Sequence, residues 1–574
     1  MLSTHMRRPA ARSVLAFRPP RAPAQSLNAP WSRFASSQHK PQSGSSHWVR
    51  NSLAFAVTGT AAVLGYSYIT DGKEAWTSAP EPTKKEVIDV NDLRAQFVQE
   101  KRSLKSPAVY TWGSNVHRVV DPESKDTDIK VPRRFKYFNG QVLRDLKIEE
   151  KSGAAITENG DLVQWGYGFS ETEYKPTETL TGKNLTSLAL SESRVIALSS
   201  DGTVYSLPTS KNEQMGGTKT QESSWIPFWA NQSKLSYRVL EPSLKLGEKV
   251  ITISGGQEHV LLLTSSGRVF SAASSTEKYP SLGQLGVEGL TWSTRPKGPA
   301  DSCHEITALK GFKIVQIAAG DYHSLALSKD GHMFAFGDNS LGQLGVDWDV
   351  ERSFRDAPSI LDVEKLYKKN SYLPKVTSIA AGGANTFFTV DAKRVLAPKE
   401  DPTDVRDLGV VTADTWSCGR GIWGTLGNGK WIHMQDAPTK VKALSGMGEF
   451  DEKKNEMSPI RLRDISVGTT HASAVLDNKT NVGKTAKDSL DQSKDWGYDV
   501  LWWGGNEHFQ LGTGKRSNQC KPIHINAPPE SKKTQAEARL QIIPRHKGKV
   551  GKRTVSMEQR VECGRHVSAI YSAV

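Results

Sequence analysis

A short module that returns along the chain constrains this sequence more than any property of the whole. Its clearest copy runs from Ile314 to Gly345, IVQIAAGDYHSLALSKDGHMFAFGDNSLGQLG. Ile314, Gln316 and Ala318 lead to the tight pair Ala319-Gly320. Ser324–Leu327 is a short strand of small and apolar residues. Lys329-Asp330-Gly331 is a turn, because Asp-Gly supplies the positive φ of a two-residue hairpin. Met333–Phe336 is the return strand, and Gly337, Gly342 and Gly345 allow the reversals that follow. Clear copies run from Val250, Val376 and Leu462, the last two interrupted by insertions, and worn ones from Lys147 and Leu185. The count is offset. Return strands begin near Val109, Val163, Val204, Val269, Met333, Thr415 and Val500. First strands begin near Ile148, Leu185, Ile251, Val315, Val376, Leu462 and Val561. There are seven of each, but the chain opens on an orphan return strand, Ala108–Asn115, and ends on an orphan first strand, Val561–Val574. Pairing the orphans makes one composite unit and leaves no free sheet edge.

Ala319, Gly320, His323, Asp330, Gly331, Gly337, Gly342, Gln343, Leu344 and Gly345 match a known signature. The chain resembles the regulator-of-chromosome-condensation repeat proteins over about residues 108–574. That resemblance implies an all-β, seven-bladed propeller closed through its two ends.

The first fifty residues hold seven Arg, one Lys and no acid, and the first acidic residue is Asp71. They supply +8 of the net +14, leaving +6 for the rest. The basic balance is therefore largely terminal, which removes the compositional case for a nucleic-acid binder. An Arg- and Ser-rich, acid-free start predicts a mitochondrial transit peptide with its linker over 1–47. Asn51–Thr70 then runs without a charge, long enough at about 1.5 Å per residue to cross roughly 30 Å of hydrocarbon. Arg50 and Asp71 bound it, and Trp48, Tyr66 and Tyr68 stand where interfacial aromatics belong. This predicts a transmembrane helix over 48–70, a single pass through the mitochondrial inner membrane, followed by a polar stalk over 71–107.

Chemistry is harder to find. Gly419-Arg-Gly421-Ile-Trp-Gly424 has dinucleotide-loop spacing but lacks the strand-then-helix context, and the repeat accounts for its glycines. Cys303, Cys418, Cys520 and Cys563 form no C-x-x-C pair, which argues against a disulfide framework or a zinc site. His259, His323 and His471 recur at one module position. Equivalent positions in a ring point in different directions, so they read as structural hydrogen-bonding groups rather than metal ligands. No catalytic residue, cofactor or metal is expected.

Long unmatched stretches separate the modules: Pro208–Leu246, Asp347–Leu373, Asp391–Gly409, Lys442–Pro459, Asn478–Trp496 and Ala527–Arg560. Insertions between repeats map to loops on a binding face. Trp225 and Trp229, with Lys552 and Arg553 in the basic run Arg545–Arg553, are the expected partner-binding residues. That run reads by default as a solvated flexible loop. The leading functional expectation is a non-enzymatic, membrane-tethered scaffold meeting a mitochondrial protein partner. The resemblance to fungal mitochondrial members implies assembly of the respiratory chain, with a complex III subunit or assembly factor as client. Two alternatives stand beside it: guanine-nucleotide exchange on a small GTPase, and RNA or anionic-lipid binding by basic loops.

Overall fold

The computed structural model describes residues 106–222, 231–276, 279–347, 351–367, 371–397, 400–403, 405–451, 455–478, 497–526 and 539–574. The expected transit peptide and transmembrane segment, nearly all of the stalk, and Trp225 and Trp229 lie outside them. Among the described residues no helix is long and apolar enough to cross a membrane.

The Ile314 module folds as its pattern predicts. Ile314–Ala319, His323–Ser328 and Met333–Asp338 are consecutive antiparallel strands. Gly331 turns the hairpin at φ +95°. A fourth strand, Phe354–Ile360, pairs outside Met333–Asp338. The same order of four builds the sheets that start at Leu185, Val250 and Tyr372. The sheet that starts at Leu462 has this order with one added short strand, Gln541–Ile542. The worn module near Lys147 also folds this way, although its first strand begins earlier than expected, as Leu143–Ile148.

The module pattern does not include these outer strands, and Phe354–Ile360 falls inside the expected insertion Asp347–Leu373. Phe354–Ile360, Met434–Lys440 and Gln519–Ile523 are half-exposed, and each contains a proline. An edge strand tolerates this because it uses only one row of ladder hydrogen bonds. Two further insertions extend the sheets. Tyr372–Gly382, Asn385–Arg394 and Val411–Arg420 run for 11, 10 and 10 residues, so the start of Asp391–Gly409, as far as Arg394, continues a blade before the chain loops away. The basic run is likewise not a loose loop. His546–Val550 pairs with the start of an 11-residue strand, Arg553–Cys563.

The two orphan strands do meet. Val109–Ser114 pairs antiparallel with Val567–Ala573, from Val109 opposite Tyr571 to Gly113 opposite Val567. Ser572 donates its N–H to Ala108 O at 3.1 Å. Arg553–Cys563 and Asp128–Arg134 flank the pair, completing a sheet built from both ends of the described chain. Trp112, Ile129, Val567, Ile570 and Tyr571 are buried in the core there, which continues into Trp165 and Trp502 of the adjoining sheets. Burying each large side chain contributes roughly 1.5–3 kcal/mol. Deleting Val561–Val574 is expected to abolish the cooperative thermal transition and to give aggregation in size-exclusion chromatography. An unchanged midpoint and elution volume would mean that this pairing does not hold the fold together.

Candidate functional site

The first strands of the sheets line a central cavity of about 410 Å³. Their C-terminal ends converge on a rim of glycines and small residues. There each backbone lies so close to the next that a side chain has no room. A Cβ on Gly564 would overlap the carbonyl oxygen of Ile148, one on Gly468 that of Gly564, and one on Gly382 that of Val467. A Cβ on Gly320 would sit 2.7 Å from Gly383 O. The repeated Ala-Gly pair is therefore a close-approach signal between units. Asp321 N donates to Gly383 O at 2.7 Å and Gln257 N to Asp321 O at 2.9 Å across the same gaps. Gly564→Ala is expected to lower the thermal midpoint by an amount corresponding to about 1–3 kcal/mol of overpacking. Gly216→Ala is the control, because nothing lies within 4 Å of its new methyl. Equal midpoints for the two variants would count against the crowded rim.

Below the rim, first strands clasp one another through side chains. Asp145 accepts from Leu188 N at 2.7 Å, Ser254 from Ala319 N at 2.9 Å, Gln316 from Ile379 N at 3.1 Å and Ser466 from Cys563 N at 2.9 Å. The recurrent histidines form a second set of clasps. His259, His323 and His471 bring Nε2 to the hydroxyls of Ser324, Thr386 and Ser568 at 2.8, 2.9 and 2.6 Å. Those hydroxyls donate to the carbonyls of Gln284, Gln343 and Gln510. A hydroxyl has one proton, so each imidazole must be the donor, protonated on Nε2. Burial pushes all three histidines down to about 3, keeping them neutral. The structural role expected for them is what the geometry gives.

The cavity also holds a set of charges that the sequence reading missed. Five carboxylates, Asp145, Glu149, Asp321, Asp464 and Glu562, face Lys147 and Arg560. Lys147 reaches Glu562 at 2.8 Å, linking the Leu143 sheet to the composite sheet. Burial pushes Glu562 up to about 7, while Lys147 also rises because carboxylates surround it. The lysine shift is the firmer direction: with five acids around two bases, Lys147 stays charged. At the rim Arg565 donates its N–H to Glu149 at 3.1 Å and its guanidinium to Asp321 at 3.2 Å. Desolvation, reinforced by Asp321, pushes Glu149 up to about 7. No sequence motif marks these residues. They become neighbours only when the ring of first strands forms.

A carboxylate whose folded pKa is raised contributes stability that is fully present below its unfolded pKa and is lost as pH rises through the folded one. The penalty from Glu149 therefore builds from 4.5 to about 7 and persists above, moderated by its partial exposure to the cavity. Glu149→Gln should raise the thermal midpoint relative to the native chain at pH 8 and leave it unchanged near pH ~4. A difference that is flat across this range would show that Glu149 is not strained. The comparison must be made between the two chains, because the buried histidines pull stability the other way below pH 6.5.

Of the expected contact residues, Lys552 and Arg553 lie exposed at the tip of the hairpin formed by His546–Val550 and Arg553–Cys563. Arg553 pairs with Glu158 at 2.9 Å. The free cysteines Cys418 and Cys563 are buried, and burial pushes the Cys563 thiol up to about 12. It is a packing group rather than a nucleophile.

Comparison with known proteins agrees with this geometry. Residues 314–343 and 499–538 match the regulator of chromosome condensation (RCC1) repeat. The chain is 26% identical over 448 residues to Protein FMP25, mitochondrial, of Saccharomyces cerevisiae, covering 74% of this chain and 66% of that one. It is 23% identical over 363 residues to RCC1 domain-containing protein RUG3, mitochondrial, of Arabidopsis thaliana, covering 61% of this chain and 68% of that one. The match thus spans about two thirds of each relative's length. The solved structure of Prp20p from Saccharomyces cerevisiae superposes with a TM-score of 0.51 at 17% identity, over 82% of this chain and 92% of Prp20p. At that identity the likeness speaks for fold alone. The chain thus carries RCC1 repeats at residues 314–343 and 499–538, and its order of strands agrees with the all-β propeller fold of Prp20p.

Proposed function

We propose that the chain is a non-enzymatic docking platform, tethered to the mitochondrial inner membrane through residues 48–70, and that its sheets close as a seven-bladed propeller. The observation that carries the reading is the one-sided elaboration of the ring. All first strands end at the glycine rim, so their starting ends share the opposite face. The long strands from Tyr372 and from Arg553 are extended at that starting end, and the hairpin Gly448–Asp451/Glu456–Pro459 leads into the Leu462 strand there. Ion pairs hold these additions in place. Arg461 grips Asp391 at 2.9 Å, and Glu558 gathers Arg463, Arg545 and Arg560 at 3.1, 3.0 and 2.9 Å.

Large apolar side chains stand exposed on the same additions. Phe450 and Met457, directly opposite each other, are 56% and 57% exposed, and Leu373 is 61% exposed. Such residues on a rigid scaffold are anchors for a protein partner. The acid-free N-terminus and two relatives whose names include "mitochondrial" support the location. For the client, the family resemblance favours a respiratory complex III subunit or assembly factor.

Removing the chain is expected to deplete assembled complex III on native gels while the other respiratory complexes persist. Phe450→Asp with Met457→Asp should reproduce that depletion at normal protein levels. Undiminished complex III in the deletion would sink the assembly role. Unimpaired function of the double variant would move the docking surface elsewhere.

A further inference from the structure

We infer that the hairpin formed by His546–Val550 and Arg553–Cys563 is a second contact, one that lies on the surface of an anionic bilayer. Strand pairing sorts its side chains onto two faces. Lys547 stands opposite Ser556 and Lys549 opposite Thr554, and all four are exposed. The other face carries Gly548 and Met557, which are buried, with Val550 and Val555 half-buried. The outward face is thus ammonium and hydroxyl donors without an acid. From Arg545 through Met557 the chain has no Asp or Glu. Residues 553–557 lie beyond the part of their strand that pairs with Val567–Ala573. They carry the tip and Lys552 past the end of that pairing, where Arg553 meets Glu158 of the neighbouring sheet.

The path of the chain gives the occupant. Val109–Ser114 runs parallel in direction to Arg553–Cys563, since both are antiparallel to Val567–Ala573. Ser106 and Pro107 therefore lie at the starting end of the ring. Arg134 Nη2 holds Ser106 there, and Gly140 N donates to Pro107 O at 2.9 Å. The described chain begins at that face, the one that carries the hairpin, and the sequence before it includes the charge-free stretch Asn51–Thr70. A tether leaving that face turns it toward the bilayer, where projecting lysines meet anionic headgroups. An RNA partner would call for large aromatic stacking groups among the cations, and no Phe, Tyr or Trp stands in Arg545–Met557. The orientation rests on the proposed tether, whereas the contact itself rests on the hairpin.

The test uses the full chain reconstituted in vesicles of phosphatidylcholine, with or without phosphatidylglycerol, reading amide exchange across residues 546–557. Phosphatidylglycerol should slow exchange in the hairpin roughly tenfold. High salt, or the combined substitutions Lys547→Glu, Lys549→Glu and Lys552→Glu, should remove the protection while the thermal midpoint stays put. Equal exchange in the two vesicles overturns the contact. So does protection by a homopolymeric RNA with none from phosphatidylglycerol. Alkaline extraction of the same vesicles tests the tether separately. Release of the chain there refutes the tether, and the hairpin is then judged by exchange with vesicles added from outside.

Discussion

One antiparallel pairing, between Val109–Ser114 and Val567–Ala573, holds together residues more than 450 positions apart. Among the described residues the other sheets are local, made from strands that lie near one another in the sequence. A row of local sheets would expose a bare edge at each end. The pairing abolishes both edges, and with them the surface on which strands add to one another. It also buries Trp112, whose indole N–H donates to Gln510 O at 2.8 Å. The composite sheet is thus clasped to the unit before it by the same glutamine carbonyl that receives the Ser568 hydroxyl.

Closure also explains the rest of the interior. Once the first strands are forced around a narrow centre, their last residues crowd, and glycine is the residue that fits. The clasps from Asp145, Ser254, Gln316 and Ser466 use different side chains for one task, accepting an N–H from the next first strand. Their variety shows that the geometry of the ring sets the requirement and that several side chains meet it. The cavity charges arise from the same crowding. Lys147, Glu562 and Asp464 belong to different first strands and meet only where those strands converge.

Much of this architecture was legible in the sequence because it repeats. The hairpin at Asp330-Gly331, the role of His259, His323 and His471, and the offset between first and return strands all follow from patterns that recur. What stayed hidden lacks a pattern. Outer strands such as Met434–Lys440 bury little and alternate weakly, so no repeat pattern marks them. The hairpin at Arg553–Cys563 read as a solvated loop because lysines and glycines dominate it, although Met557 and Gly548 face inward. The cavity charges were invisible for a different reason. Lys147 and Glu562 are 415 residues apart, and no local signal can announce such a pair.

Because the sheet made from both ends needs residues beyond Val567, Val109–Ser114 can pair on one side only, with Asp128–Arg134, until they are made. It is among the first of the described strands to appear, and its second side is among the last to be satisfied. Contacts of such long sequence separation slow the final step, and an open apolar edge invites aggregation meanwhile. The consequence is a built-in delay. The local sheets can form as their strands appear, and the ring locks only when Val567–Ala573 reaches Val109–Ser114. A chaperone that shields the waiting strand would find Trp112 at its centre.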